Sequence, residues 1–400
     1  MKNITLNYLL LSLSGIALFL SLWIVIPAPT RQLLPLGVGA PEISLWLLLF
    51  NTIVLVLSLV SRTKSPWLIL AVSCSLIALL LSSLPLGQLL KTQQQLATMM
   101  SEGLGENYLA QVPTQLKSQM RSQPFSFVDA FTGIKTEKVR HTTGIIFAKP
   151  DGVPLSMEIY RPLQVGEYPG IVVLYGGGWQ NGSPSNNPKF NRYLATLGYT
   201  VFAIDYRHAP RYQFPAQLDD VQTALAFIQQ HSAKYETDAT RLALMGRSAG
   251  GHLAMLAAYQ QNTLPVKAVV SYYGPFNLTE GYQQPPKPDP LNVRAVLSVF
   301  LGGSPKELPE QYRLASPTSY VTHSLPPTLL VHGSRDHIVK VNFAQDMNKH
   351  LQAAGNISIL LEIPWAEHSF DSLFNGLGNQ LALYYTERFL AWAFYDLSNK

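Results

Sequence analysis

The chain has one cysteine, Cys74, and few charges: Asp, Glu, Lys and Arg together make up 13% of its 400 residues. A single cysteine excludes an intrachain disulfide and argues against a cysteine-based metal site. The charge deficit is local. Residues 1–90 carry only Lys2, Arg31, Arg62 and Lys64 against Glu42, so they hold +3 of the net +5 and the remainder is close to neutral. No Lys/Arg-rich run is present, which argues against a nucleic-acid partner. No internal repeat or low-complexity tract interrupts the chain.

Apolar residues are plentiful instead, at 47%. Three stretches, 8–26, 43–60 and 66–84, lack Asp, Glu, Lys, Arg and His. Each approaches the ~20 helical residues needed to cross a hydrocarbon core. A cleaved signal peptide would explain the first stretch alone, but two more follow it. The lipid bilayer is therefore the expected partner of residues 1–86. Asn51 and the serines can hydrogen-bond within a helix or across to a neighbour. Lys2 before the first stretch, with Arg62 and Lys64 between the second and third, favours a cytoplasmic N-terminus. Everything after residue 84 is then extracytoplasmic. Residues 87–135 have patches of helical spacing broken by Gly103, Gly105 and Pro113, and they read as a helical connector.

From 136 to 400, strand-like runs alternate with helix-like ones. Strands are expected near 142–148, 155–161, 170–175, 199–205, 242–245, 266–272, 327–332 and 357–363. Helices are expected at 215–230, 249–260, 343–354 and from 380. Such alternation predicts an α/β fold with a mostly parallel sheet covered on both faces. Asp151-Gly152 signals a hairpin between the first two strands. Residues 275–322 break the alternation with Pro285, Pro286, Pro288 and Pro290 and read as a lid insertion.

Gly246-Arg247-Ser248-Ala249-Gly250 matches G-x-S-x-G between a strand and a helix, where a sharp turn exposes a serine hydroxyl. Ser248 is the candidate nucleophile. Tyr175-Gly176-Gly177-Gly178-Trp179 follows another strand and leaves amides free to face a developing oxyanion. The candidate donors are Gly177, Gly178 and Ala249. A phosphate loop would need the lysine of G-x-x-x-x-G-K-[ST], which is missing. A serine needs a general base. Of the histidines after Ser248, His368 follows the last strand by a short loop and is the candidate. His252 reads as a packing residue, His332 ends a strand and reads as structural, and His350 sits on a polar helix end. The acid that orients His368 is expected at Asp336, just past the penultimate strand, in the order Ser, Asp, His. Glu367 and Asp371 are the alternatives, and Asp219 and Asp220 read as helix-stabilising.

Taken together, these motifs resemble the hormone-sensitive-lipase-like and bacterial esterase branch of the α/β-hydrolases, over about 136–396. The resemblance also rests on Asp205-Tyr206-Arg207-His208-Ala209-Pro210, Phe214-Pro215-Ala216, Phe300-Leu301-Gly302-Gly303, Ala315-Ser316-Pro317 and His368-Ser369-Phe370. It implies a serine carboxylesterase, with no cofactor and no metal, acting on a small or lipid-like ester. Membrane-embedded enzymes similar to isoprenylcysteine methylesterase share the arrangement. One departure stands out: Tyr175 replaces the histidine that usually opens the oxyanion loop and braces it. Amide cleavage, as in a peptidase or formamidase, and a non-catalytic scaffold are the competing expectations.

Overall fold

The computed structural model describes residues 2–61, 65–260 and 266–395. Arg62 and Lys64, on which the sidedness expectation partly rests, lie outside them, as do residues 396–400.

The N-terminal part is helical. Helix α1 spans Lys2–Leu22, α2 Leu34–Glu42, α3 Ser44–Val60 and α4 Pro66–Leu104. Among the described residues, two helices are long and apolar enough to cross a membrane: α1, from Thr5, and α4. The second expected stretch differs. It is α3, of 17 residues, joined to α2 across a 79° bend, and it makes a third crossing only if the bent pair is one span. Residues 34–42 were expected in a loop; their Leu, Val and Ala side chains give them an apolar face, and Pro35 sits in the first turn, where its missing N–H costs nothing. Asn51 of α3 donates to Ser21 Oγ of α1 at 3.1 Å and to Ser82 Oγ of α4 at 3.0 Å. One buried amide thus ties three helices where no water competes.

The third stretch does not stop at residue 84. Helix α4 runs for 39 residues through Pro85, about 58 Å at 1.5 Å per residue, roughly twice a hydrocarbon core. Its second half was expected to be a broken connector. Leu89, Leu96 and Met100 are buried in the same core as the sheet, and that packing outweighs the helix-breaking tendency of Pro85 and Gly103. Gly103 packs so tightly on Ile359 that a Cβ would lie 2.7 Å from its side chain. Two short helices, α5 (Thr114–Gln119) and α6 (Phe127–Thr132), follow.

The remaining elements alternate. They are β1 (Arg140–Ala148), β2 (Leu155–Arg161), β3 (Tyr168–Leu174), α7 (Pro188–Thr196), β4 (Thr200–Ile204), α8 (Ala216–Gln230), β5 (Thr237–Arg247), α9 (Ala249–Tyr259) and β6 (Ala268–Tyr272). After them come α10 (Leu278–Gln283), α11 (Val293–Leu301), α12 (Pro309–Leu314), β7 (Thr328–Gly333), α13 (Val341–Ala353), β8 (Ser358–Ile363) and α14 (Leu377–Tyr395). The eight strands form one sheet in the order β1-β2-β4-β3-β5-β6-β7-β8, antiparallel at β1–β2 and β2–β4 and parallel elsewhere. Central strands such as β3 (Tyr-Pro-Gly-Ile-Val-Val-Leu) and β4 are buried along nearly their whole length, as a sheet covered on both faces requires. Helix α4 packs on β8 and so covers the sheet edge. Helix α7 had no forerunner in the sequence reading; its apolar side chains interleave with Lys189 and Arg192.

Close backbone approach at the turn after β5 depends on glycine. A Cβ on Gly246 would lie 2.1 Å from the Gly250 carbonyl oxygen, and one on Gly250 would lie 2.3 Å from the Leu174 oxygen. Backbone cannot yield as a side chain can. Gly250→Ala is expected to cost at least the ~1–3 kcal/mol of an overpacked core, seen as a lowered unfolding midpoint of the full chain in detergent.

Candidate active site

The ends of four parallel strands converge. Ser248 follows β5, the Tyr175–Trp179 loop follows β3, Asp336 follows β7 and His368 follows β8. This is the edge where open α/β sheets present their ligand crevice. Ser248 has φ 51° and ψ −120°, a conformation that non-glycine residues avoid. Its amide donates to Tyr272 O at 2.9 Å, and its carbonyl accepts from His252 N at 2.9 Å. The turn is thereby pinned with the hydroxyl outward.

Ser248 Oγ lies 3.0 Å from His368 Nε2, and His368 Nδ1 lies 2.7 Å from Asp336 Oδ2. Asp336 Oδ1 accepts from the amides of Ile338 and Val339, both at 2.8 Å. Burial would raise the Asp336 carboxyl, but the His368 charge, with hydrogen bonds from His332 and His368, holds it well below the usual carboxylate range. It is an anion that fixes the His368 tautomer.

The other acids and histidines are engaged elsewhere. Glu367 accepts from His337 N and pairs with His337 Nδ1, both at 2.6 Å. Asp371 pairs with Arg247 Nε and accepts from the Tyr273 hydroxyl. Asp220 accepts from Arg207, and Asp219 sits in the first turn of α8. His350 is in the last turn of α13. His252 is buried: its Nδ1 accepts from Trp179 Nε1 at 3.2 Å, and its Nε2 donates to Ala315 O at 2.6 Å. Burial pushes it down to about 4, so it is neutral and ties the glycine loop to the lid insertion. His332 has a structural contact with the site. Its Nε2 lies 2.7 Å from Val339 O and 3.2 Å from Asp336 Oδ2, so it braces the acid.

Gly177 and Gly178 both have positive φ, 138° and 60°. A Cβ on Gly177 would lie 2.0 Å from Asn181 O, so only glycine allows this loop. Among the described residues, the Gly177 and Gly178 amides donate to no backbone acceptor. The Ala249 amide opens α9, where helical N–H groups lack intrahelical partners. Tyr175 braces the loop from beneath. Its hydroxyl donates to Asp205 Oδ1 at 2.5 Å and accepts from His208 Nε2 at 2.8 Å, and its ring stacks on Tyr206 at 4.4 Å. Asp205 and His208 stood in a motif quoted for the family, but their pairing with Tyr175 was not legible. Tyr175→Phe strips the half-buried Asp205 carboxylate of one donor, which costs ~1–3 kcal/mol. About a tenfold fall in kcat with little change in KM is expected, measured on a short-chain ester.

His337 lies beside this machinery. Its hydrogen bond to Glu367 raises it above the ordinary imidazole value despite partial burial. A raised folded-state value stabilises the protein below the unfolded-state value and ceases to do so as pH rises through the folded one. The midpoint advantage of wild type over His337→Gln should therefore be full below the ordinary imidazole value of about 6.5 and shrink as pH rises above it, as read by thermal melts.

A cavity of about 540 Å³ opens at Ser248 and His368. Gly176, Gly177, Gly178 and Arg247 line its floor, and Leu278, Val293, Val296 and Leu297 of the lid insertion line its roof. Arg31 and Leu34, from the N-terminal helical region, also line it.

Residues 157–351 match the BD-FAE family, a stretch that holds Ser248 and Asp336 and ends before His368. The esterase LipC of Mycobacterium tuberculosis is 32% identical over 54% of this chain and 57% of its own length. The probable carboxylic ester hydrolase LipM of the same organism is 31% identical over 56% and 54%. The chain thus spans little more than half the length of these relatives. Among solved structures, a butyrate-bound esterase from Thermogutta terrifontis is 26% identical with a TM-score of 0.50, covering 62% of this chain and 91% of that one. Sheet order and the solved neighbour give the globular part of this chain an α/β-hydrolase-like fold, and its matched region is similar to the BD-FAE family and to these esterases.

Proposed function

We propose that this chain is a membrane-anchored carboxylic-ester hydrolase that works through an acyl-enzyme. The observation that carries this reading is the unbroken hydrogen-bonded series Ser248–His368–Asp336 at the mouth of the cavity. His368 Nε2 takes the Ser248 proton as Oγ attacks the ester carbonyl. Asp336 stabilises the imidazolium, and the amides of Gly177, Gly178 and Ala249 hold the oxyanion. His368 then protonates the leaving alcohol. It next draws a proton from water, which attacks the acyl carbonyl, and returns that proton to Ser248 Oγ as the carboxylic acid leaves. The named activities of LipC and LipM support a carboxylic ester, and the butyrate held by the Thermogutta esterase supports a small acyl group.

In this reading residues 1–86 are the membrane region, 87–135 the connector and 136–400 the hydrolase domain with its lid at 275–322. The globular part lies on the extracytoplasmic side and the N-terminus in the cytoplasm. Val25, in the loop between α1 and α2, and Glu42, at the end of α2, both touch the hydrolase domain, so that loop and the domain share one side of the bilayer. Three crossings, by α1, by the α3 arm of the bent pair and by α4, satisfy that condition, with α2 packed on the hydrolase domain.

Purified full chain should hydrolyse 4-nitrophenyl butyrate at least about 100-fold faster, in kcat/KM, than the matching anilide. Faster cleavage of the anilide would shift the assignment to an amidase, and cleavage of neither would contradict both.

A further inference from the structure

One wall of the cavity comes from outside the hydrolase fold. The turn at 23–33 leaves α1 at the end of an apolar helix, and it carries Arg31, the only charged residue between Lys2 and Glu42. Arg31 and Leu34 line the same cavity as Ser248 and His368.

This segment is fastened to the catalytic loops. Arg335, next to Asp336, donates through Nη2 to Val25 O. Glu42 accepts from the Gly378 amide at 2.8 Å, ten residues past His368. Helix α2 packs on α14 and on the turn at Phe370–Ser372. Arg31 is thereby held at the cavity on a braced segment.

The charge balance of the lining is one-sided. Arg31 and Arg247 line the cavity, and among the described lining residues there is no Asp or Glu. Arg247 is neutralised by its buried pair with Asp371 and stacks on Phe190, 4.1 Å from the ring centre. Arg31 is exposed and, among the described residues, has no carboxylate partner. A cavity with an apolar roof, neutral polar side chains elsewhere in its lining and one uncompensated cation recognises an apolar body with one anionic group.

We propose that Arg31 makes the site selective for amphiphilic esters that carry an anionic group, and that the membrane region therefore contributes to substrate choice as well as to anchoring. The inference rests on the esterase reading above and specifies its substrate. The anion can sit on the acyl or the alcohol side of the ester, and matched substrate pairs separate these. For the acyl side the pair is 4-nitrophenyl hydrogen adipate and 4-nitrophenyl methyl adipate. For the alcohol side it is the butyrate esters of 4-hydroxybenzenesulfonate and of phenol. Each is assayed with full chain in neutral detergent, as wild type, Arg31→Gln and Arg31→Glu.

The readout is the anionic-to-neutral ratio of kcat/KM, in which intrinsic ester reactivity cancels between variants. On at least one pair the ratio should fall about tenfold in Arg31→Gln and further in Arg31→Glu, chiefly through KM. The wild-type ratio on that pair should also shrink as ionic strength rises from about 0.05 to about 0.5 M, a test that needs no variant. Ratios equal in all three proteins on both pairs, or a wild-type ratio insensitive to salt, would overturn the inference while leaving the esterase reading intact. Wild type that cleaves no member of either pair would overturn the esterase reading, and the inference with it.

Discussion

Ser248→Ala is expected to cut kcat on every ester the protein cleaves by at least about 10⁴-fold, with KM little changed and the fold intact. The reasoning is local. Ser248 Oγ is the one hydroxyl within hydrogen-bond reach of His368 Nε2, at 3.0 Å among the described residues. Removing it deletes the proposed nucleophile and leaves the proposed oxyanion donors in place. The backbone of the turn is held by the Ser248 amide and by glycines at 246 and 250, not by the side chain, so the variant should melt within a few degrees of wild type. Activity reduced less than tenfold would assign the chemistry to another group.

Asp336→Asn should cost nearly as much, about 10³–10⁴ in kcat. Asp336 Oδ1 accepts from two backbone amides and Oδ2 faces His368 Nδ1. An asparagine must keep its carbonyl toward the two amides, because turning it would set donors against donors. Its amide nitrogen then faces Nδ1 and donates to it. The His368 proton is forced onto Nε2, where it can no longer accept from Ser248. The expected signature is a collapse of kcat with KM retained. A loss under tenfold would mean that Glu367 or Asp371 orients His368, although the first is bound to His337 and the second to Arg247 and Tyr273.

Much of this arrangement could be read from residue order alone. Buried runs such as Ile171–Leu174 have no competing periodicity, so the strands lie close to where the pattern set them. Ser248, Asp336 and His368 each follow a strand directly, and local spacing therefore carried them. What spacing does not encode is who meets whom across the chain. Tyr175 reaches Asp205 and His208 about thirty residues away, and His332, at the end of β7, meets Asp336 in the loop that follows. The N-terminal region shows the same limit. Pro85 and Gly103 argue locally for an interrupted helix, yet α4 continues because its later apolar face is buried against the sheet. Glu42 reads as a loop charge beside a membrane span, yet it accepts from the amide of Gly378, an interaction that requires the folded hydrolase domain.

The most direct test of a competent serine nucleophile is reaction of the full chain in membranes with a fluorophosphonate probe, followed by peptide mass analysis. The expected result is one covalent adduct, on the peptide containing Ser248, present in wild type and missing in Ser248→Ala. Labelling that persists in Ser248→Ala, or a folded wild type that takes up no probe, would contradict the proposed nucleophile and leave an α/β-hydrolase fold without the chemistry assigned to it.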